Sequence, residues 1–418
     1  MLALTRVKVP LGLSLMLGGI TLNLWSDASL VEAVTVFGRA WLRMDLWLLL
    51  AITVLVVEFG RFMTERENAD NILNVIRKWG GRHGRAWSLM AVPAVVGLIP
   101  MPAGALFSAP LVQKTAEKSE MERDAKAAIN YWFRHIWEYW WPLYPGVIVA
   151  MSLFEMENWQ FFASQIPFTI VAVFAGFLAL VRTHVGGLVE ERGAAETGSG
   201  RGAAIAMVPL LLVIVSVLVA PPILDPFASW IALQNRKMIA MLIGLLLGLF
   251  VIVRADGARG RTGKVFSTVL GAKSRGILLT IAGVMVFKHC LDISGLIEIA
   301  SREMENANIS PIYAVMGLPF LAGMITGIAV GFAGAALPVV VGLVGSSGSG
   351  LSPMATLVLA YGCGYMGMMM SPLHLCVLVT RDYFDSSLWA IWRKIVPCVA
   401  MILAYAVIAH VVFRALGW

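Results

Sequence analysis

Long apolar runs recur from one end of this chain to the other, and they constrain its fold more than any other feature. Hydrophobic residues make up 59% of the 418 residues and charged residues only 14%, whereas a soluble domain carries about 25% charged residues. Several runs reach the roughly 18–20 residues that a helix needs to cross a bilayer. Because a backbone inside lipid must bond to itself, the sequence predicts an all-α polytopic membrane protein with about nine transmembrane helices.

Two further apolar stretches, residues 85–112 and 311–344, are interrupted near their centres by glycine and proline. The first interruption is the run PMPAG, and the second is the run GIAVGFAG. Two half-helices joined by such a turn form a re-entrant hairpin, which is tolerated at membrane depth only where protein or a wet cavity satisfies its backbone. We therefore predict a re-entrant hairpin in each stretch.

The order of these elements repeats along the chain. Residues 1–182 and residues 236–418 each contain two helices, a hairpin and two more helices, while residues 183–235 supply a Gly-rich cytoplasmic loop and one linking helix. A single linking helix inverts the second half relative to the first. Inverted repeats with discontinuous helices are a recurrent plan of secondary transporters, so the pattern predicts two inverted repeats.

Basic residues are concentrated in two loops of a chain whose net charge is +7. They are Arg66, Arg77, Lys78, Arg82 and Arg85 in the first loop, and Arg254, Arg259, Arg261, Lys264, Lys273 and Arg275 in the second. The positive-inside rule places both loops in the cytoplasm. This predicts a multi-pass protein of the cell inner (plasma) membrane with a cytoplasmic N-terminus. No basic–aromatic module accompanies the charge, so a nucleic-acid partner is not expected.

The helix after the first hairpin carries ionisable residues, which are costly at membrane depth and therefore pair or face a cavity. Asn130, Arg134 and Glu138 fall at i, i+4 and i+8 with His135 beside them, and the PLYP segment that follows is expected to break the helix. One interpretation is that Arg134 neutralises an anionic substrate while His135 or Glu138 takes part in proton coupling. The other is an interfacial Arg134–Glu138 ion pair.

The matching helix of the second half is expected to break at Gly364, Gly367 and Pro372, with Ser371 and His374 next to the break. His374 is either a proton carrier or a satisfied core histidine. Half-helix ends also leave backbone N–H and C=O groups without partners, which suit anions and cations respectively. The expected substrate contacts, besides Asn130 and Arg134, are Pro102, Gly104, Ser108, Thr326, Gly331, Gly334 and Ser371.

Two other groups of residues receive structural interpretations. The aromatic residues Trp132, Trp137, Tyr139, Trp140 and Trp141 are expected to form a membrane-interface belt. The four cysteines lie in apolar segments without CxxC spacing, which predicts packing roles: Cys290, Cys363, Cys376 and Cys398. Neither a disulfide framework, nor a zinc site, nor a cofactor is expected.

Three segments carry a resemblance to a known family. VGLIPMPAGALFSAPLV, NYWFRHIWEYWWPLYPG and GYMGMMMSPLHLC resemble the uncharacterised integral-membrane family catalogued as domain of unknown function 401. That family is placed in the ion transporter superfamily, beside gluconate, lactate, arsenite and dicarboxylate carriers. The resemblance implies scaffold and transport regions, elevator-type alternating access and a homodimer. The hairpin tips lack the Ser-Asn-Thr motifs of the sodium–dicarboxylate relatives, which puts sodium coupling in doubt.

The sequence thus predicts a secondary active transporter of a small anion, with an organic carboxylate as the expected class and H+ or Na+ as the coupling ion. The alternative is a cation/proton antiporter, in which Glu138 and the carbonyls of the broken helices bind the ion. A channel is a further alternative. An enzyme is not expected, because neither an HExxH zinc motif nor a serine-elbow motif accompanies the pair His135 and Glu138.

Overall fold

The computed structural model describes residues 9–26, 28–64, 85–98, 104–117, 121–182, 231–257, 272–346 and 350–417, together with scattered residues between 208 and 219. Within these residues every regular element is a helix, which confirms the predicted all-α class. The predicted linking helix and the basic loops lie largely outside the described residues, and Pro102 lies outside them altogether.

The helices begin and end as follows. In chain order they are α1 (Leu11–Trp25), α2 (Leu30–Ala40), α3 (Met44–Thr64), α4 (Arg85–Gly97), α5 (Ala105–Thr115), α6 (Arg123–Arg134), α7 (Pro145–Phe154), α8 (Asn158–Gly176, extended by a π turn over Phe177–Val181), α9 (Leu233–Gly257), α10 (Ala272–Ser294), α11 (Leu296–Asn306), α12 (Ile312–Thr326), α13 (Ala329–Ala335), α14 (Leu337–Gly345), α15 (Pro353–Met369), α16 (Leu375–Phe384) and α17 (Leu388–Ala415).

Four helical segments of the described chain are long and apolar enough to cross a membrane. They are Asn158–Val181, Asn235–Arg254, Ser274–Ser294 and Leu388–Ala415. A fifth results if α2 and the first part of α3, which meet at 50°, form one bent span. Breaks cut other apolar segments into helices of 10–17 residues. Length and composition are consistent with a membrane protein, whereas the arrangement with nine crossings stays a prediction.

Both predicted hairpin segments form a pair of packed helices. In the first, α4 packs against α5; in the second, α12 packs against α13 across the turn at Gly327 and Ile328, and α14 continues the second arm. Gly327 has a φ of +66°, a left-handed backbone conformation that glycine adopts without steric cost. Whether the two pairs are re-entrant in a bilayer stays a prediction.

Both helices after the hairpins are discontinuous, as predicted, and the breaks include Pro142 and Pro372, but their bounds differ from those expected. α6 ends at Arg134, well before Pro142, and residues 135–144 form irregular turns before α7 begins at Pro145. This early end has a physical reason, because side chains bond to the backbone carbonyls that a longer helix would use. The break therefore begins before the PLYP segment that was expected to cause it.

The second helix was expected to break at Gly364, Gly367 and Pro372; this is confirmed for Pro372 and was wrong for the two glycines. α15 continues through both glycines to Met369, and the break falls at residues 370–374. A Cβ at Gly367 would collide with the backbone carbonyl of Phe320, and a Cβ at Gly364 would collide with the ring of Phe332. These glycines therefore allow α12 and α13 to pack closely against α15, as small residues do between membrane helices.

The helices pack as two groups. In one, α1 and α3 of the first half pack against α10 and α9 of the second half, with α2 also against α10. In the other, the hairpins pack crosswise against the broken helices: α5 contacts α16, and α13 contacts α7. Helices α8 and α17 flank this second group, where they contact α15. The crosswise packing brings the breaks of both halves next to each other.

Candidate functional site

The irregular stretch after α6 is held by side chains that bond to its carbonyl oxygens. His135 Nδ1 donates to the carbonyl oxygen of Tyr131 at 2.6 Å, which is the oxygen that a continuing helix would offer to the His135 N–H. From α15, the Tyr365 hydroxyl donates to the His135 carbonyl and the Tyr361 hydroxyl donates to the Glu138 carbonyl, both at 2.8 Å. Buried carbonyls need such partners, so tyrosines of the second half stabilise the break in the first.

Arg134 and Glu138 form a buried ion pair at this break. Arg134 Nη1 lies 3.3 Å from Glu138 Oε1, and the two residues are only 1% and 6% exposed. The hydroxyls of Tyr144 and Tyr365 also lie beside the Glu138 carboxylate. The contact expected from the i, i+4 spacing is present and protein surrounds it, while its depth in a membrane stays a prediction. Buried charges are tolerated when they are paired and hydrogen-bonded in this way.

His135 and His374 face each other across the two halves. Their Nε2 atoms lie 3.1 Å apart. His374 Nδ1 donates to the carbonyl oxygen of Gly327, in the turn of the second hairpin, at 2.8 Å. The ring of Tyr131 packs edge-on against both imidazoles. Both histidines are buried, so the two candidate proton carriers share one enclosed cluster.

Cys376 joins this cluster from the first turn of α16. Its Sγ and one ring nitrogen each of His135 and His374 all lie within 4.8 Å of one another. Glu138 Oε1 is 3.8 Å from His135 Nε2. Imidazole nitrogen, thiolate sulfur and carboxylate oxygen are ligands of zinc and related metals. These side chains could therefore hold a metal ion, in contrast to the packing role expected for all four cysteines.

Both hairpins reach the cluster through a glycine. The Tyr144 hydroxyl donates to the Gly97 carbonyl at 2.5 Å, and a Cβ at Gly97 would collide with the carbonyl oxygen of Arg134. In the second hairpin, a Cβ at Gly327 would press on the backbone at His374. The first arm of each hairpin thus ends against the break of its own half, at a distance that only glycine permits.

Two expected substrate contacts of the first half bond to protein groups instead. Asn130 Nδ2 donates to the carbonyl of Ala105 at 3.1 Å and to Thr380 Oγ1 at 3.2 Å, so it connects α6 with α5 and α16. Ser108 Oγ donates to the same Ala105 carbonyl at 3.3 Å. Gly104 is buried at the start of α5. In this conformation these residues connect helices near the first hairpin and do not join the ion pair.

The expected contacts of the second half divide in a similar way. Thr326 Oγ1 donates to Ala322 O at 2.7 Å, and Gly331 packs directly against this threonine. Ser371 Oγ accepts from the backbone N–H of Leu373 at 3.1 Å and borders the turn of the second hairpin. Gly334 packs against Val284 of α10. The predicted site residues that come together are Arg134, His135, Glu138 and His374 in the cluster, with Thr326 and Ser371 beside the turn of the second hairpin.

The expected aromatic belt was wrong for most of its members. Trp132, Tyr139 and Trp141 are buried in the protein. The Trp132 indole donates to the carbonyl of Ala172 at 2.8 Å, and the Tyr139 ring stacks on Phe168 with centroids 4.9 Å apart. A belt requires rings at the protein surface, in the lipid headgroup region, whereas these three rings are buried, and those of Trp132 and Tyr139 pack against α8.

A narrow cavity borders His135. It is lined by Trp132, His135, Ile136, Tyr139, Ala172, Tyr365 and Met369. This space is too small for a water molecule. A solute can therefore reach His135 from this side only if the surrounding helices move.

Sequence reasoning missed several residues of the cluster. Cys376 follows His374 by two positions, which is too weak a pattern to indicate a site without its partner in the other half. Tyr361 and Tyr365 are four residues apart on α15, and this spacing indicates a shared helix face without showing what the face contacts. The carbonyl of Gly327 carries no side-chain signal at all.

The chain matches a protein-family model along nearly its whole length. The family described as "Protein of unknown function (DUF401)" matches residues 7–413, which is nearly the whole chain. No curated protein matches significantly. The family expected from the three sequence segments is thereby confirmed, whereas its relation to the gluconate, lactate, arsenite and dicarboxylate carriers stays a prediction.

Proposed function

The chain belongs to the DUF401 family of unknown function, and from its site we propose that it is a secondary active transporter of a small organic carboxylate, coupled to protons. The observation that carries this proposal is the convergence of two hairpins and two broken helices on one buried cluster of Arg134, His135, Glu138 and His374. Discontinuous helices that meet at a charged, enclosed site are typical of secondary transporters.

Arg134 supplies the positive charge for the substrate carboxylate. Its guanidinium presents planar donors that match a carboxylate in two parallel hydrogen bonds. In the described conformation it is paired with Glu138 at 3.3 Å. A substrate carboxylate can take this partner position only when the Glu138 carboxylate leaves it or loses its charge.

Protonation of Glu138 provides that exchange. A neutral Glu138 no longer balances Arg134, so binding the substrate anion restores a neutral pair at the same place. His135 lies 3.8 Å from the Glu138 carboxylate and 3.1 Å from His374, which gives the proton a path of short steps between the halves. One proton and one carboxylate would then move together, because moving either alone would leave a buried charge without a partner, which is costly.

The packing into two groups supports alternating access of the elevator type. α1, α2, α3, α9 and α10 would form the scaffold region, while the hairpins and broken helices with α8 and α17 would form the transport region. The narrow cavity at His135 fits a closed state, from which one region must move to admit solute. We further propose an inner-membrane location with a cytoplasmic N-terminus and a homodimer, on the basic loops and on the family resemblance.

A cation/proton antiporter is the second candidate. The specific observation that favours it is the carbonyl oxygen of Gly327 at the end of α12, 2.8 Å from His374. Helix C-termini and unwound carbonyls suit cations. In this alternative Glu138 and the carbonyls of the breaks would bind the ion, and Arg134 would only position Glu138.

Uptake into proteoliposomes tests the proposal. Purified protein would be given a panel of labelled hydroxy- and dicarboxylates with an inward proton gradient, and saturable uptake is expected for at least one of them. Glu138→Gln should abolish uptake driven by the proton gradient but retain substrate counterflow, because exchange needs no net proton movement. Arg134→Gln should abolish both.

Glu122→Gln is the matched control, because the Glu122 carboxylate forms an exposed ion pair with Lys394 at 3.0 Å, and it should transport normally. Proton-driven sodium movement without saturable carboxylate uptake would favour the antiporter. Ion flux that rises linearly with concentration would indicate a channel and contradict both carrier hypotheses.

A further inference from the structure

The two histidines of the cluster are held in the same tautomer. His135 Nδ1 lies 2.6 Å from the Tyr131 carbonyl, and His374 Nδ1 lies 2.8 Å from the Gly327 carbonyl. A carbonyl oxygen only accepts hydrogen bonds, so each Nδ1 must carry the hydrogen. In a neutral imidazole the other nitrogen is then an acceptor without hydrogen. Both Nε2 atoms therefore present lone pairs.

These lone pairs face each other. The Nε2 atoms are 3.1 Å apart, and two acceptors at this distance repel unless a positive species lies between them. Metal-binding histidines almost always donate their other N–H to a carbonyl or carboxylate, which fixes the ring for metal binding. Both His135 and His374 show this arrangement.

Cys376 adds a third ligand to the same place. The three ligand atoms lie within 4.8 Å of one another. Around tetrahedral zinc, two ring nitrogens lie about 3.3 Å apart, and a nitrogen and a sulfur lie about 3.6 Å apart. The two nitrogens thus already have nearly the required separation, and the sulfur needs to approach by about 1 Å at most.

We propose that His135, His374 and Cys376 bind a transition-metal ion of the zinc type, with Glu138 beside the fourth position. This site goes beyond the transport proposal and does not depend on it; while the ion is bound, the two Nε2 atoms cannot carry a proton, so proton movement through the histidines belongs to the metal-free protein. The ligand set selects the metal: imidazole and thiolate favour Zn2+, whereas Mg2+ and Ca2+ prefer oxygen ligands. Because His135 belongs to the first half and His374 and Cys376 belong to the second, the ion would join the two broken helices.

Metal titration of the purified full-length protein tests the site. After treatment with a chelator, the protein in detergent would be titrated with ZnCl2, and bound zinc would be measured by elemental analysis. We expect about one tightly held zinc ion per chain and a rise in the melting temperature that MgCl2 does not produce. His374→Ala and Cys376→Ser should each lose the ion and the rise.

Two matched variants control for the loss of a buried histidine or cysteine. His410→Ala removes a buried histidine whose Nδ1 bonds to the Ala355 carbonyl at 2.9 Å, and Cys398→Ser changes a buried cysteine of α17. Both should bind zinc as the unchanged chain does. If a ligand variant fails to fold, CoCl2 added to the unchanged protein still tests the ligand set. A thiolate-to-cobalt absorption band and the visible bands of tetrahedral cobalt are expected.

Three results would overturn the proposal. The first is that the unchanged protein binds no zinc, and the second is that Cys376→Ser and His374→Ala bind it as tightly as the controls do. The third is an octahedral cobalt spectrum without a thiolate band.

Discussion

The break after the first hairpin spans residues 135–144, whereas the break after the second spans residues 370–374. In the long break, hydroxyls of Tyr361 and Tyr365 satisfy the carbonyls from outside. In the short break, the N–H groups of Met370 and Ser371 bond to carbonyls one turn back in α15, and the Tyr131 hydroxyl of the first half donates to the Met369 carbonyl at 2.9 Å. The first break carries the charged residues and takes two tyrosine hydrogen bonds from the second half, whereas the second is a tighter turn that takes one from the first half and presents His374.

The two halves therefore play unequal roles at the site. A buried charge demands partners from several directions, and a long irregular stretch provides more of them than a tight turn can. The second half supplies such partners as Tyr365, whose hydroxyl lies beside the Glu138 carboxylate, and as His374, whose Nε2 lies 3.1 Å from His135 Nε2.

Removing the positive charge at the first break should have the largest effect on the stability of the protein. Arg134→Met leaves the Glu138 carboxylate buried without its cation, which should destabilise the protein by about 3–5 kcal/mol. The measurement is chemical denaturation in micelles. Adding Glu138→Met should recover most of this loss, because the double variant contains no uncompensated charge. A single variant as stable as the unchanged protein would show that the pair is not buried.

Enlarging a glycine in the second half should have a smaller effect. Gly367→Ala places a methyl group against the Phe320 carbonyl and should cost roughly 1–3 kcal/mol through overpacking. The same denaturation experiment measures it. Gly317→Ala on α12 is the control, because a Cβ there meets no atom within 4 Å. Equal stability of the two variants would contradict the close packing of α12 on α15.

Loss of the tyrosine hydroxyls should have the smallest effect on the stability of the protein. Its effect on local opening should be confined to the long break. Tyr361→Phe and Tyr365→Phe each remove one hydrogen bond to the long break and should cost about 1 kcal/mol. Hydrogen exchange read by mass spectrometry should show faster exchange in residues 135–144 and no change in residues 370–374. Tyr383→Phe, at a partly exposed position, is the control. Faster exchange in both breaks would remove the distinction drawn between them.

The sequence predicted those features of the fold that depend on local pattern. Apolar runs predicted the helices, glycine predicted the turn of the second hairpin segment at Gly327, and the i, i+4 spacing predicted the contact between Arg134 and Glu138. Pro372 predicted the second break, but the start of the first could not be predicted, because Tyr361 and Tyr365 of the second half stabilise it through tertiary hydrogen bonds. The contact of His135 with His374 joins residues 239 positions apart, and no local pattern encodes such a distance.

A double-mutant cycle on transport tests most directly whether the two breaks form one site. Saturable carboxylate uptake would be measured for His135→Gln, His374→Gln and the variant with both changes. Residues in contact that act together show non-additive effects. We expect the double variant to lose no more kcat/KM than the single variant with the larger loss. Losses that multiply would mean that the two histidines, and the two breaks that carry them, act independently.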